Sequence, residues 1–391
     1  MFLQIHFLTS YHASLLNRDD AGLAKRILFG GVPRLRVSSQ CQKRHWREWM
    51  MDRTNLPSAF RSRHFFSREL MRRLVDDGMD EALARRLILH LAKGLLTAAG
   101  EKDALDKETL AMKQPVLFGR PEADYLARII KEAAQQGDEK AAEAYLSNRI
   151  KEGKRNFQAL MRQAGIHDPA VGFEGAMFGR FVTSDILARV DAPVHVAHAF
   201  TTHELNTEVD FFTVVDDLAA DEETGAAQAN DMELGAGLFY GYVAVDVPLL
   251  VSNLTGCPRE EWRNADTRDA RALLDLFIHA VAQVTPGAKL GATAPYARAD
   301  FVMLETGEAQ PRSLANAYLS PVRFGPTQLH PMVKSIEAMA KYLDGLESMY
   351  GDTGERRHVS SLHPWPRQQE TVVLLQQAID ESLSELFGDR Q

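Results

Sequence analysis

The chain has 391 residues, with 45 Lys and Arg against 53 Asp and Glu, a formal charge of −8. A composition 45% hydrophobic and 25% charged is that of a globular protein able to bury a core, which excludes wholesale disorder, collagen and low-complexity architectures. Two cysteines, Cys41 and Cys257, are too few for a disulfide framework or a zinc ribbon, so a reducing compartment, the cytoplasm, is expected.

Met1 to Leu8 lacks a basic leader and a small-residue cleavage site, and its alternation of Phe2, Gln4, His6 and Leu8 with Leu3, Ile5 and Phe7 predicts a largely buried first strand. A second strand is predicted over 32–38, and others over 239–247 and 299–304. Between them lie helical stripes: Leu83, Leu87, Leu91 and Leu95; Tyr125, Leu126, Ile129 and Ile130; and Leu273, Leu274, Phe277, Ile278 and Val281. Two more close the chain, through Ile336, Met339 and Leu343 and then Ile379, Leu383 and Leu386. Linker-like segments are expected at Gly119 to Pro121, Gly165 to Gly175, and Tyr350 to Gln369. Strands gathered from both ends around a helical middle predict an α+β fold with a helical insertion at about 60–165. The most apolar stretch, Leu238 to Asn253, is interrupted by Asp246 and Pro248, so no membrane span is expected.

The charge is unevenly distributed. From Lys25 to Arg73 there are thirteen basic and three acidic residues, a local charge of +10, whereas Val190 to Pro258 holds twelve acidic residues and no Lys or Arg, a local charge of −12. Such asymmetry points to a polyanion-binding face or to a self-complementary assembly surface. The acidic stretch from Asp216 to Gly237, with Asp221, Glu222 and Glu223, is too polar to bury a core and reads as a protruding hairpin or loop.

The most informative segment runs from Gly30 to Arg47. On a strand, Arg34, Arg36 and Ser38 share one face while Leu35 and Val37 turn inward. Ser39 and Gln42 have the spacing of a capping box, which starts a helix with Gln40, Lys43, Arg44 and Arg47 along one face. Glycines that admit a close backbone approach, strand arginines, a helix N-terminus and a basic helix face each favour phosphate oxygens, and together could follow several phosphates. The competing reading is a basic solvent face with an ordinary cap. Farther along, Arg180, Phe181 and Thr183 follow a glycine, and such an aromatic can wedge between bases while the arginine takes a phosphate.

Other constellations are weaker. Asp19 and Asp20 could hold magnesium, brace nearby basic groups or make turn hydrogen bonds. His195, His198 and His203 have zinc-like density, but their β-branched neighbours favour a strand on which His195 and His198 diverge, so packed histidines are expected. Cys41 beside a basic helix start could ionise more easily, although a packed small residue is the better reading.

Several motifs occur in order: Leu-Asn-Arg-Asp-Asp (16–20), Phe-Gly-Gly followed by Arg-Leu-Arg-Val-Ser-Ser-Gln and Lys-Arg (29–44), Phe-Gly-Arg (178–180), Ala-His-Ala-Phe-Thr-Thr-His (197–203), Phe-Phe-Thr-Val-Val-Asp-Asp-Leu (211–218) and Val-Thr-Pro-Gly-Ala-Lys (284–289). Over about 1–60 and 170–320 the chain thereby resembles the CasC-type, CRISPR RNA-binding backbone subunit of the type I-E Cascade surveillance complex. The resemblance implies a modified RNA-recognition-motif palm (1–60, 169–202 and 238–391, the last with C-terminal helices), a helical fingers insertion (61–168) and a hairpin thumb (203–237). It implies a non-catalytic subunit, without cofactor or metal, that polymerises along the guide RNA, kinks it periodically and presents it to target DNA in antiviral defence. The partners it implies are CRISPR RNA, target DNA paired to the guide, further copies of the chain, the large, small, cap and repeat-processing subunits, and a recruited helicase-nuclease. By the same resemblance, Asn17, Arg18, Lys25, Arg34, Arg36, Ser38, Gln40, Lys43, Arg44, Arg47, Arg180, Phe181 and Thr183 contact the guide, and Lys151, Lys154 and Arg155 reach target DNA. Two enzymatic alternatives stay open: a metal-dependent RNA-cleaving backbone subunit using Asp19 and Asp20, and a CRISPR RNA-processing endonuclease with a base such as His12.

Overall fold

The computed structural model describes residues 1–96, 105–153, 161, 164–166, 169–180, 190–214, 228–287, 293–323, 325 and 330–388. The chain folds as two compact units: Met1–Arg53 with His195–Val245 and Arg271–Gln391, and Thr54–Val194 with Asp246–Ala270. The α+β class expected from the pattern is the class observed.

The first unit is built on an antiparallel sheet whose strands are β1 (Phe2–Ser14), β2 (Arg26–Phe29), β3 (Val32–Val37), β6 (Val194–Val196), β7 (Ala199–Thr201), β8 (Thr207–Val214), β9 (Gln228–Asp246), β10 (Phe301–Gly307) and β11 (Arg356–Ser361). Their order is β11-β10-β1-β9-β7-β3-β2, with β6 and β8 also pairing β9. Strand β1 is central, so its alternating residues are buried on both faces. On one face the Phe7 ring meets Trp46 edge-on at 6.3 Å, and Trp46 meets Phe277 at 5.6 Å, which carries helices α1 (Ser39–Met51) and Arg268–Gln283 against the sheet. The approach requires Gly241, where a Cβ would lie 2.0 Å from the Phe7 ring. On the other face Leu8, Met303, Tyr240 and Val359 pack against Met332, Ile336, Met339 and Leu343 of helix Pro331–Tyr350. Strand β11 falls inside the segment expected to be a linker. Its sequence, Arg-Arg-His-Val-Ser-Ser, buries only Val359, so hydropathy alternation does not betray an edge strand held by its pairing with β10.

The same second face carries a buried ionic cluster. Glu305, fully buried, accepts from Arg312 at 2.6 and 2.9 Å, from Arg357 at 2.5 Å and from His6 Nε2 at 2.9 Å. Burial opposes ionisation of Glu305, yet the bonds from Arg312 and His6 outweigh it and hold its carboxyl well below the ordinary range. Burial lowers the His6 pKa, against the opposing pull of Glu305. Glu347 and Glu355 complete the set on Arg357 and Arg312, and Glu347 also accepts from Arg367.

Strands β8 and β9 pair antiparallel, in register from Thr207↔Gly235 to Val214↔Gln228. Asp216, Asp217, Asp221, Glu222 and Glu223 lie outside the described residues.

The second unit contains the two-stranded sheet β4 (Ala59–Ser62) and β5 (Val116–Gly119) with helices α2 (Met71–Asp76), α3 (Glu81–Leu96), α4 (Arg120–Ala134) and α5 (Glu139–Gly153). Phe65 and Phe118 stack at 4.0 Å at its core, beside the predicted stripe residues Leu87, Leu91 and Leu95. Gly119 to Pro121 is no linker: Gly119 ends β5 and caps α4, where its N–H reaches Glu122 Oε2 at 3.0 Å. The unit is larger than the expected insertion of 61–168, since 54–60, 169–194 and 246–270 belong to it. The reason is local docking: Phe173 N–H bonds Pro57 C=O at 2.9 Å, and Asn253 Nδ2 donates to Ala176 C=O at 2.9 Å and Asp191 C=O at 3.0 Å.

Candidate nucleic-acid interface

The basic segment gathers on one edge of the first unit because three short pieces are stitched together by backbone groups. Asn17 Oδ1 accepts from Ser38 N–H at 2.9 Å, Lys25 N–H reaches Asn17 C=O at 2.9 Å, and Arg36 N–H reaches Lys25 C=O at 2.8 Å. Helix α1 then leaves with Gln42, Trp46 and Met50 buried, a spacing of four that turns Gln40, Lys43, Arg44 and Arg47 away from the core. Gln40 and Arg44 are exposed, whereas Arg36, Lys43, Arg47, Lys25 and Asn17 are half-buried. Arg44 pairs with Glu48 at 2.9 Å. Among the described residues no carboxylate pairs with Arg18, Lys25, Arg36 or Arg47; Arg18 is exposed and the other three are half-buried.

His198 senses the cluster. Its pKa is lowered first by burial and then by the nearby charges of Arg36, Lys25 and Lys43. Its Nδ1 accepts from Ser39 N–H at 2.9 Å, which places the first helical amide on a protein partner.

Several expected roles change. The helix cap is Ser38, whose Oγ accepts from Cys41 N–H at 3.3 Å, one residue before the expected Ser39; Gln42 instead donates to Ala197 C=O at 3.0 Å. Arg34 does not share the accessibility of Arg36. It is fully buried, with Nη1 on Thr201 C=O and Nη2 on Tyr318 C=O, each at 2.9 Å, and Nε on Phe29 C=O at 3.3 Å. A guanidinium sealed from solvent, with three of its five N–H groups on backbone carbonyls, is not presented to a phosphate. The close approach allowed by Gly30 is likewise internal: φ is +62° and a Cβ would lie 1.7 Å from Leu319 C=O. Arg180 is also buried, its Nη1 2.7 and 2.8 Å from the Glu122 carboxylate, and serves as an internal ion pair of the second unit. Burial pushes the Cys41 thiol up against the pull of Lys25 and Arg44, the opposite of activation. Lys151 is exposed near the end of α5. Phe181, Thr183, Lys154 and Arg155 lie outside the described residues.

Asp19 and His203 make hydrogen bonds within the fold. Asp19 Oδ1 accepts from Ala21 N–H at 3.0 Å and Leu23 N–H at 2.9 Å, an Asx-type turn. His203 Nε2 accepts from Leu238 N–H at 3.1 Å, so its proton sits on Nδ1 and goes to Glu204 C=O at 2.7 Å. Among the described residues no group of three or more His, Cys, Asp or Glu could hold a metal ion, and no helix is long and apolar enough to cross a membrane.

A family model described as CT1975-like protein matches residues 3–388. No curated protein matches the chain. Among solved structures, the chain is similar to one from a "CRISPR RNA-guided surveillance complex, pre-nicking", with 25% identity, a TM-score of 0.78, and coverage of 99% of this chain and 100% of that one. A second, from a "CRISPR RNA-guided surveillance complex", shares the fold at 23% identity and a TM-score of 0.71, covering 98% and 100%.

Proposed function

Because the chain belongs to the CT1975-like protein family, we propose that it is a CRISPR RNA-binding backbone subunit of a type I-E Cascade surveillance complex, non-catalytic, polymerising along the guide and presenting it to target DNA. The observation that carries this reading is the outward cluster of Lys25, Arg36, Lys43 and Arg47, stitched to Asn17 and Ser38. It can follow successive phosphates without reading base edges, as a subunit serving any guide sequence must. The end-to-end likeness to a chain of a CRISPR RNA-guided complex supports it. Arg34 and Arg180 are left out of the contact set, and Lys151 remains the described candidate for target DNA.

Joint charge reversal, Lys43→Glu with Arg47→Glu, is expected to abolish RNA-dependent assembly and to lower the salt slope of RNA binding by about two, one per lost phosphate contact. Assembly at the wild-type level overturns the proposal. The cleaving alternative predicts loss of guide-complementary RNA on incubation with magnesium. Asp19 is poorly placed for it, since its Oδ1 already holds two backbone amides.

A further inference from the structure

Within the basic cluster, between the end of β1 and strands β3 and β9, lies a crevice lined by Ser14, Asn17, Lys25, Arg36, Phe239 and Gly235, among others. Its volume is about 10 Å³, the space of a single water-sized group. The walls are built rather than incidental, because the Asn17–Ser38, Lys25–Asn17 and Arg36–Lys25 hydrogen bonds fix three of its sides. Phe239 and the neighbouring Leu35 and Val37 supply apolar surface, and no carboxylate lines it.

Ser14 is the unexplained member. It is 4% exposed, and its Oγ is buried without a hydrogen-bond partner among the described residues. A buried hydroxyl left unpaired is costly and asks for a ligand. The residue before it, Ala13, has φ of +24°, a strained value for a non-glycine, where the chain turns at the end of β1. Strain and an unmet hydroxyl coincide beside Lys25 and Arg36.

We propose that this crevice is a ribose-sensing subsite: Ser14 Oγ exchanges a hydrogen bond with a 2′-hydroxyl of the bound strand while Lys25 and Arg36 take the adjacent phosphates. A hydroxyl both donates and accepts, as serine does, and it is the group that distinguishes RNA from DNA at a given position. A water-sized space admits a hydroxyl and excludes a methoxy group. The inference rests on the RNA-binding reading above and adds the residue that makes the interface selective for RNA.

The test is a titration of the full chain by fluorescence anisotropy against oligouridine and its 2′-deoxy, 2′-fluoro and 2′-O-methyl counterparts. Wild-type protein should prefer the ribose strand and reject the 2′-O-methyl strand more strongly than the 2′-fluoro one. Ser14→Ala should weaken ribose binding about 3–10-fold, the worth of one hydrogen bond, and leave deoxy binding unchanged. An unchanged ribose preference in Ser14→Ala overturns the proposal. So does equal loss on both strands, which assigns the crevice to a phosphate oxygen instead. If Ser14→Ala does not fold, the 2′-O-methyl and 2′-fluoro arms on wild-type protein decide, and equal affinity for the two overturns the proposal. Should the wild-type chain bind neither strand, the RNA-binding reading itself fails. RNA binding with no ribose selectivity sinks only the role of Ser14.

Discussion

Two arginine-rich regions of the same unit meet opposite fates. At the edge of the sheet, around β3 and α1, Arg36 and Arg47 have no carboxylate partner among the described residues. Behind β10, Arg312, Arg357 and Arg367 are held by Glu305, Glu347 and Glu355. A count of basic residues would rank the regions alike, yet one is an internal brace and the other a surface able to receive phosphates. What separates them is the distribution of acidic residues in space. The carboxylates that neutralise the brace come from β10, helix Pro331–Tyr350 and the turn before β11, fifty positions apart at the extremes, Glu305 and Glu355.

The contrast can be broken at its strongest point first. Glu305→Gln removes the fully buried carboxylate that Arg312, Arg357 and His6 share, and should cost about 3–5 kcal/mol in chemical denaturation with little direct effect on RNA contacts. A cost under about 1 kcal/mol would show that the brace is dispensable.

Next come two arginines only two positions apart. Arg34→Met should destabilise the chain by about 2–4 kcal/mol, because it strips donors from the Thr201 and Tyr318 carbonyls in a sealed site. Arg36→Met should leave denaturation nearly unchanged and weaken RNA binding about 5–10-fold, with the salt slope reduced by about one. If the two variants behave alike in both assays, the division between brace and interface fails.

The smallest expected effect concerns the latch of the C-terminal helix, Leu375–Phe387. His358 on β11 lies 3.0 Å from Glu385 and 2.8 Å from Glu381, with Arg356 also on Glu385, and its pKa is raised first by the hydrogen bond it donates to the Glu385 carboxylate. A histidine pKa raised by folding contributes stability that is fully present below its unfolded value, near 6.5, and lost as pH rises through the higher folded value. Hydrogen exchange of this helix should therefore quicken by about 1 kcal/mol of lost protection as pH climbs above that range, once corrected for intrinsic exchange rates. His358→Gln should remove the pH step; a step that persists would place it on another group.

Much of the fold was legible locally. Alternation in Phe2–Leu8 and the leucine spacing of α3 reflect one-dimensional periodicities that burial imposes directly, and both elements lie where the pattern puts them. Strand β11 was not legible, because its stability comes from pairing with β10 rather than from apolar side chains. The outward set Arg36, Lys43 and Arg47 was also readable, since helix and strand periodicity fix direction relative to a core. Arg34 was misread because alternation assumes one covered face, whereas the segment Ala315–Tyr318 covers Arg34 from the other side and accepts its guanidinium at the Tyr318 carbonyl.

The sequence by itself determined the class of the fold, the concentration of positive charge between Lys25 and Arg73 and its separation from the acidic hairpin, because composition and short-period patterns are properties of the chain. Only the tertiary structure decided which cations remain available. Whether an arginine finds a carboxylate, a carbonyl or solvent depends on residues such as Thr201, Tyr318 and Glu122 that are distant in sequence and adjacent in space. The same holds for Ser14, whose neighbours Lys25, Arg36 and Gly235 turn an ordinary serine into the floor of a selective crevice.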